Sequence, residues 1–182
     1  IALSFGASGL LRRRIEAGEP AMVFASADTE HPQRLARVGG WGAPQVFTRN
    51  ALCVLAGPAV PVTTADLLDA LLRPEMRLGT STPQADPSGD YAWELFRRAE
   101  QLRPGAYARL DAKALKLTGG PGSPKPPPGR GTYAWIMAEG RADLFLTYCT
   151  NAVAARREVP ALQVVQVPDA LQVAAAYGFT VR

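Results

Sequence analysis

Short apolar runs alternate with segments of helical period along nearly the whole chain, a rhythm that predicts a largely parallel α/β architecture. Residues 1–5 read as a strand. Over 9–17 the apolar Leu11 and Ile15 fall four apart, Ser8 stands before them as a hydroxyl cap, and Gly18 then Pro20 end the helix. A strand over 21–26, a short helix over 32–38, a turn-rich stretch over 39–44 and a strand over 51–56 follow. Thr63 and Asp66 are spaced as a capping box for a helix over 64–72. A strand over 76–80 leads to a helix over 88–99 that begins just after Pro87 and carries Trp93, Leu95 and Phe96. Residues 118–131 (TGGPGSPKPPPGRG) exclude a helix or an inner strand. A helix over 132–139 and a strand over 143–147 come next, the strand delivering Tyr148 at its carboxyl end. Strands near 162–167 and 172–181 close the pattern. It begins and ends in strands, without internal repeat, and reads as a stretch of a longer polypeptide.

Composition narrows the classes. Of 182 residues, 47% are hydrophobic and 20% charged, which excludes a mainly disordered chain and allows one ordinary domain or two small lobes. The formal charge of +4 is dispersed. Its one tight run, Arg12 to Arg14, shares a helix with Glu16, and the pairs Arg97-Arg98 and Arg156-Arg157 sit beside Glu94, Glu100 and Glu158. These are solvated helix faces rather than a nucleic-acid surface, which needs a basic stripe with interleaved aromatics. No apolar run approaches the roughly 18 residues that span a bilayer. Cys53 and Cys149 lie in apolar surroundings and are expected as buried, inert thiols. The single histidine, His31, excludes zinc sites built on two or three histidines, and any Ser-His-Asp triad would have to use it. Gly6-Ala7-Ser8-Gly9 is not a nucleophile elbow, because its second glycine comes one position early. Catalysis has little to work with here.

Binding has more. Ser8-Gly9, Ser88-Gly89 and Gly129-Arg130-Gly131 each lie directly before a helix. A helix N-terminus presents unpaired N–H donors and a partial positive charge, and glycine lets a ligand approach the backbone. Tyr148 adds a phenolic donor at a strand end, where open α/β sheets face their ligand crevice. Singly, each serine is a cap, Tyr148 a packing residue and Arg130 a solvated charge. Converging from two lobes, they suit a small tetrahedral anion.

Four segments carry a family resemblance. Residues 3–28 (LSFGASGLLRRRIEAGEPAMVFASAD) resemble the serine turn, helix and V-F-A-S-A-D strand of the periplasmic molybdate-binding proteins of ABC transporters. Residues 49–56 (RNALCVLA) resemble the crossing strand of that family. Residues 77–96 (RLGTSTPQADPSGDYAWELF) are similar to its D-P-x-x-x-P-A-G-x-Y-A segment, and 139–154 (EGRADLFLTYCTNAVA) to its G-E-A-D-x-G-I-V-Y-x-T-D-A segment. The order is consistent over nearly the whole chain.

The resemblance implies an α/β type II periplasmic binding protein, two lobes joined by crossing strands. The first lobe would be 1–54 with 170–182, incomplete at both ends, and the second 55–169. It implies a periplasmic, monomeric, non-enzymatic receptor that captures molybdate or tungstate without a cofactor and hands it to a membrane permease, with no nucleic-acid partner. Residue by residue, it assigns the ligand to the Ser8 turn, to the backbone N–H of Ser88 and to Tyr148, with Arg130 near a further donor. Ser81-Thr82-Pro83 replaces the usual G-D-P, and Ser88-Gly89 the usual A-G, adding hydroxyls around the cleft. Arg130 would bring a full charge into a site of neutral donors, unless it lies on the outside of its proline-glycine loop, the placement that the loop's composition favours. Sulfate, phosphate or an organic anion stays open as the solute, and so does the effector domain of a transcription regulator.

Overall fold

The structure is a computed structural model and describes residues 2–182. In chain order the elements are α1 (Ser8–Glu16), β1 (Val23–Ser26), α2 (Glu30–Val38), β2 (Gln45–Asn50), β3 (Leu52–Ala56), α3 (Leu67–Leu72), β4 (Leu78–Ser81), α4 (Pro87–Leu102), α5 (Ala106–Lys113), β5 (Leu115–Thr118), α6 (Thr132–Ala138), β6 (Leu144–Tyr148), α7 (Cys149–Glu158), β7 (Gln163–Gln166) and β8 (Ala175–Val181). Two sheets with helices packed against them make the expected α/β class.

Two sheets divide the strands. One has the order β1-β8-β2 and is antiparallel throughout. The other has the order β5-β4-β6-β3-β7, in which β4 runs parallel to β5 and β6, while β3 runs antiparallel to β6 and β7. The expectation of a largely parallel fold therefore holds only for the part built from strand-helix-strand crossovers. β3 enters from the other sheet and must run against its neighbours. Residue 54 falls inside β3, which belongs wholly to the five-stranded sheet, so the sheets part at Ala51.

β3 and β6 are buried along their whole length, and successive residues serve opposite faces. Leu52, Val54, Leu144 and Leu146 join Leu67, Leu71 and Phe96 on one side, while Leu55 and Phe145 join Ile136 and Met137 on the other. Gly79 in β4 leaves room for Phe145, whose ring would lie 2.5 Å from a Cβ there.

Several expectations need correction. Ile1 lies outside the described residues, and residues 2–5 form no strand, with Leu3 and Phe5 exposed. β2, α5, β5 and α7 were absent from the sequence pattern. β2 is exposed at every position from Gln45 to Arg49 and bulges between Val46 and Thr48, so no buried alternation marks it. Cys53 and Cys149 are not free thiols but a disulfide. β3 pairs with β6 so that Cys53 faces Thr147, and Cys149, two residues on, is its diagonal neighbour. The two Cα atoms stand 4.7 Å apart although 96 positions separate them in sequence.

The crossings between the sheets are tied by Gln172. Its Oε1 accepts the Leu52 N–H at 2.8 Å and its Nε2 donates to the Leu52 carbonyl at 3.0 Å. One side-chain amide thus joins both connecting segments as a strand neighbour would.

Candidate functional site

The start of α1 forms the first wall. Ala7 is its N-cap, so Ser8 is a helical residue rather than the expected hydroxyl cap. The Ser8 Oγ accepts the Ala27 N–H at 3.1 Å, just beyond the end of β1, and keeps its own proton free to donate. The Gly9 N–H donates to the Ala85 carbonyl of the other lobe at 3.0 Å. A Cβ at Gly9 would lie 2.4 Å from the Gln84 carbonyl oxygen and 2.8 Å from that of Ala85, so only glycine permits this approach.

The start of α4 forms the second wall. Asp86 is the N-cap and Pro87 the first helical residue, a pairing that fits both preferences. The Ser88 N–H, which the family resemblance assigns to the ligand, donates to Asp86 Oδ1 at 3.1 Å. The hydroxyls offer more: Ser88 is 1% exposed and Ser81, at the end of β4, 0%, and neither Oγ has a hydrogen-bond partner. Gly89 brings α4 against the turn after β4, where a Cβ would meet Ser81, Thr82 and Pro83 backbone atoms at 2.6–2.8 Å.

Between the walls stand three tyrosines. The Tyr148 ring, 5% exposed, packs edge-on against Tyr91 and Tyr177 at centroid distances of 6.2 and 5.4 Å. Its hydroxyl donates to the Ala27 carbonyl at 3.3 Å, so Ser8 and Tyr148 meet on one residue. Tyr177 accepts from Asn50 Nδ2 at 3.0 Å. Burial, and then the nearby Tyr177, pushes the Tyr148 phenol far above its ordinary range, so it remains a donor. Burial likewise pushes Tyr133 to about 12 and raises the Asp86 carboxyl, against the pull of the Ser88 N–H.

Ser8, Ser88 and Tyr148 thus line one seam between the lobes, and Arg130 stands elsewhere. Its Nε donates to Glu158 Oε1 at 2.5 Å, and the Gly131 N–H donates to Glu158 Oε2 at 2.8 Å, which holds that carboxyl below its usual range. Glu158 ends α7, ten residues beyond Tyr148, or about 15 Å at the rise of a helix.

His31 is buried in the first turn of α2, beside Asp28. Burial lowers its pKa, and its Nε2 lies 3.8 Å from Asp28 Oδ2. The Ser26 hydroxyl donates to Asp28 Oδ1 rather than to the imidazole, so these three groups contain no serine–base pair. Among the described residues no cluster of three His, Cys, Asp or Glu could hold a metal ion, and no helix is long and apolar enough to cross a membrane.

Sequence reasoning missed Asp86 and Tyr177 at the seam. Asp86 carried a signal, an aspartate directly before a proline at a helix start. Tyr177 sits in a strand with nothing local to distinguish it.

Comparisons place the chain among known proteins. The sequence pattern of the bacterial extracellular solute-binding proteins matches residues 1–181. An uncharacterized protein of Pasteurella multocida, PM1146, is 38% identical over 179 residues, which are 97% of this chain and 73% of that one. Among solved structures, the sulfate-binding protein SubI of Mycobacterium tuberculosis aligns with a TM-score of 0.71 at 21% identity, over 98% of this chain and 63% of that one. The periplasmic molybdate-binding protein of Azotobacter vinelandii aligns with a TM-score of 0.69 at 20% identity, over 98% and 71%. On the match over residues 1–181 and the identity to PM1146, this chain belongs to the bacterial extracellular solute-binding protein family.

Proposed function

We propose that this receptor captures a small tetrahedral oxyanion, molybdate or tungstate, in the seam between its lobes and delivers it, as a monomer, to an ABC permease. The observation that carries the reading is the set of hydroxyls from both lobes, Ser8, Ser81, Ser88 and Tyr148, at one seam, with two of them buried and unpartnered. A buried hydroxyl without a partner is costly, and an anionic oxygen is the acceptor that best satisfies it. Neutral donors hold a dehydrated dianion without a lysine or arginine. Members of the family bind solutes rather than transform them and need no cofactor. The family is extracellular, and a disulfide belongs in an oxidising compartment. Binding would favour the closed arrangement of the lobes, which the permease would read.

Calorimetric titration with molybdate, tungstate, sulfate and phosphate tests the solute. A group VI oxyanion is expected to bind tightest, because the shorter bonds of sulfate leave some donors unfilled. Tighter sulfate binding would favour the second reading, to which the likeness to SubI lends support. Tyr148→Phe should weaken the best solute by about 1–3 kcal/mol, the cost of removing a donor from a charged acceptor. The ligand-free protein should lose less, since the bond to Ala27 is long. Unaltered affinity with lowered apo stability would make Tyr148 a packing residue.

Arg130 is left out of the proposed site because Glu158 already holds it. Arg130→Ala should leave anion affinity unchanged at both low and high salt. A loss that shrinks as salt rises would instead return Arg130 to the cleft.

A further inference from the structure

The α4 N-terminus, where an anion would be expected to dock, is already capped by the chain's own carboxylate. Asp86 Oδ1 takes the Ser88 N–H, and Asp86 Oδ2 lies where it would be 2.6 Å from a Cβ at Gly119, a glycine at φ +78°. Gly119, in the loop after β5, therefore packs against one side of the carboxyl. Around it stand the two buried hydroxyls that have no partner, Ser81 and Ser88. Among the described residues, the titratable groups that face it are the phenols of Tyr133 on α6, Tyr148 at the end of β6 and Tyr177 on β8.

An ionised carboxylate and a dianion in one dehydrated cleft repel each other strongly, whereas a shared proton turns the repulsion into a hydrogen bond. We propose that Asp86 makes solute capture proton-linked: the complex holds one proton between Asp86 and the solute oxygen that faces it. A dianion without a proton of its own, such as molybdate or sulfate, draws that proton from solvent onto Asp86, which then donates to the solute. A solute that brings its own proton, such as monohydrogen phosphate, donates to the ionised carboxylate and needs none from solvent. Burial, which already favours the neutral carboxyl before any solute arrives, works in the same direction.

This inference rests on the reading of the seam as an oxyanion site. Its test is calorimetry of the parent and of Asp86→Asn with molybdate and with sulfate from about pH 5 to about pH 9, in buffers of different ionisation enthalpy. The parent should take up close to one proton, and above the carboxyl's own titration its affinity should fall about tenfold per pH unit. Asp86→Asn should bind with no proton uptake and a flat pH profile, and tighter than the parent at the alkaline end. Asparagine and serine both cap helices well, so Asp86→Ser serves if Asp86→Asn folds poorly. A flat profile in the parent, or an unchanged slope in the variant, overturns proton linkage at Asp86 and leaves the receptor standing. If neither protein binds any oxyanion at any pH, the oxyanion reading fails and this inference falls with it.

Discussion

Cys53→Ala combined with Cys149→Ser should lower the unfolding free energy by about 4–5 kcal/mol, the entropy that a cross-link removes from an unfolded loop of this length. The bond joins positions 96 apart in sequence, so in the unfolded state it closes more than half of the chain into a ring. In the native state it fastens the buried strand β3 to the first turn of α7, directly beside Tyr148. That is a large part of the 5–15 kcal/mol typical of a domain, so the variant should unfold many degrees lower. Denaturant titration of the parent, the parent under reductant and the double variant makes the comparison. Reductant should move the parent to the variant's midpoint and leave the variant where it is. Coincident midpoints for the oxidised parent and the variant would show that the bond does not constrain the unfolded chain.

How much of this was legible in the sequence depended on how local the cause was. β3 is an unbroken apolar run and β6 is interrupted only by Thr147, both are buried on both faces, and α4 has a proline start and an apolar stripe through Trp93 and Phe96, so each announces itself. β2 exists because β8 pairs with it, and β8 lies more than a hundred residues later, so its exposed residues carry no signature. The disulfide is hidden for the same reason: only the pairing of β3 with β6 makes the cysteines neighbours. At the site, Ser8, Ser88 and Tyr148 were named from their positions before helices and after a strand. Their bonding was not legible. That Ser8 accepts from Ala27, and that Asp86 takes the Ser88 N–H, follows from how loops of different strands meet. Arg130 illustrates the limit, since its partner Glu158 stands 28 residues away at the end of another helix.

Gly9→Ala should impair solute binding more than any other single methyl added to the first lobe. The reason is steric and lies at the seam between the lobes. Gly9 donates its N–H to Ala85 across the seam, and the carbonyl oxygens of Gln84 and Ala85 stand 2.4 and 2.8 Å from where the new Cβ would be. Those are backbone atoms just before α4, held by Asp86 and by the approach of Gly89 to the turn after β4, so they cannot swing aside as a side-chain tip would. Overpacking of this kind costs about 1–3 kcal/mol, and on the proposed reading, in which the lobes close on the solute, it falls on the closed form alone. If closure is what the solute stabilises, apparent affinity drops in proportion to the closed population, about 5- to 150-fold. The open form loses nothing, because alanine is a better helix former than glycine. Titration with molybdate or the tightest of the four anions, set beside ligand-free thermal unfolding, separates the two effects. The expected result is weakened binding with unfolding unchanged or slightly raised. Unchanged affinity would mean that the solute is held without Gly9 meeting Ala85, and a parallel fall in apo stability would mean that the two lobes are packed this tightly whether or not a solute is bound.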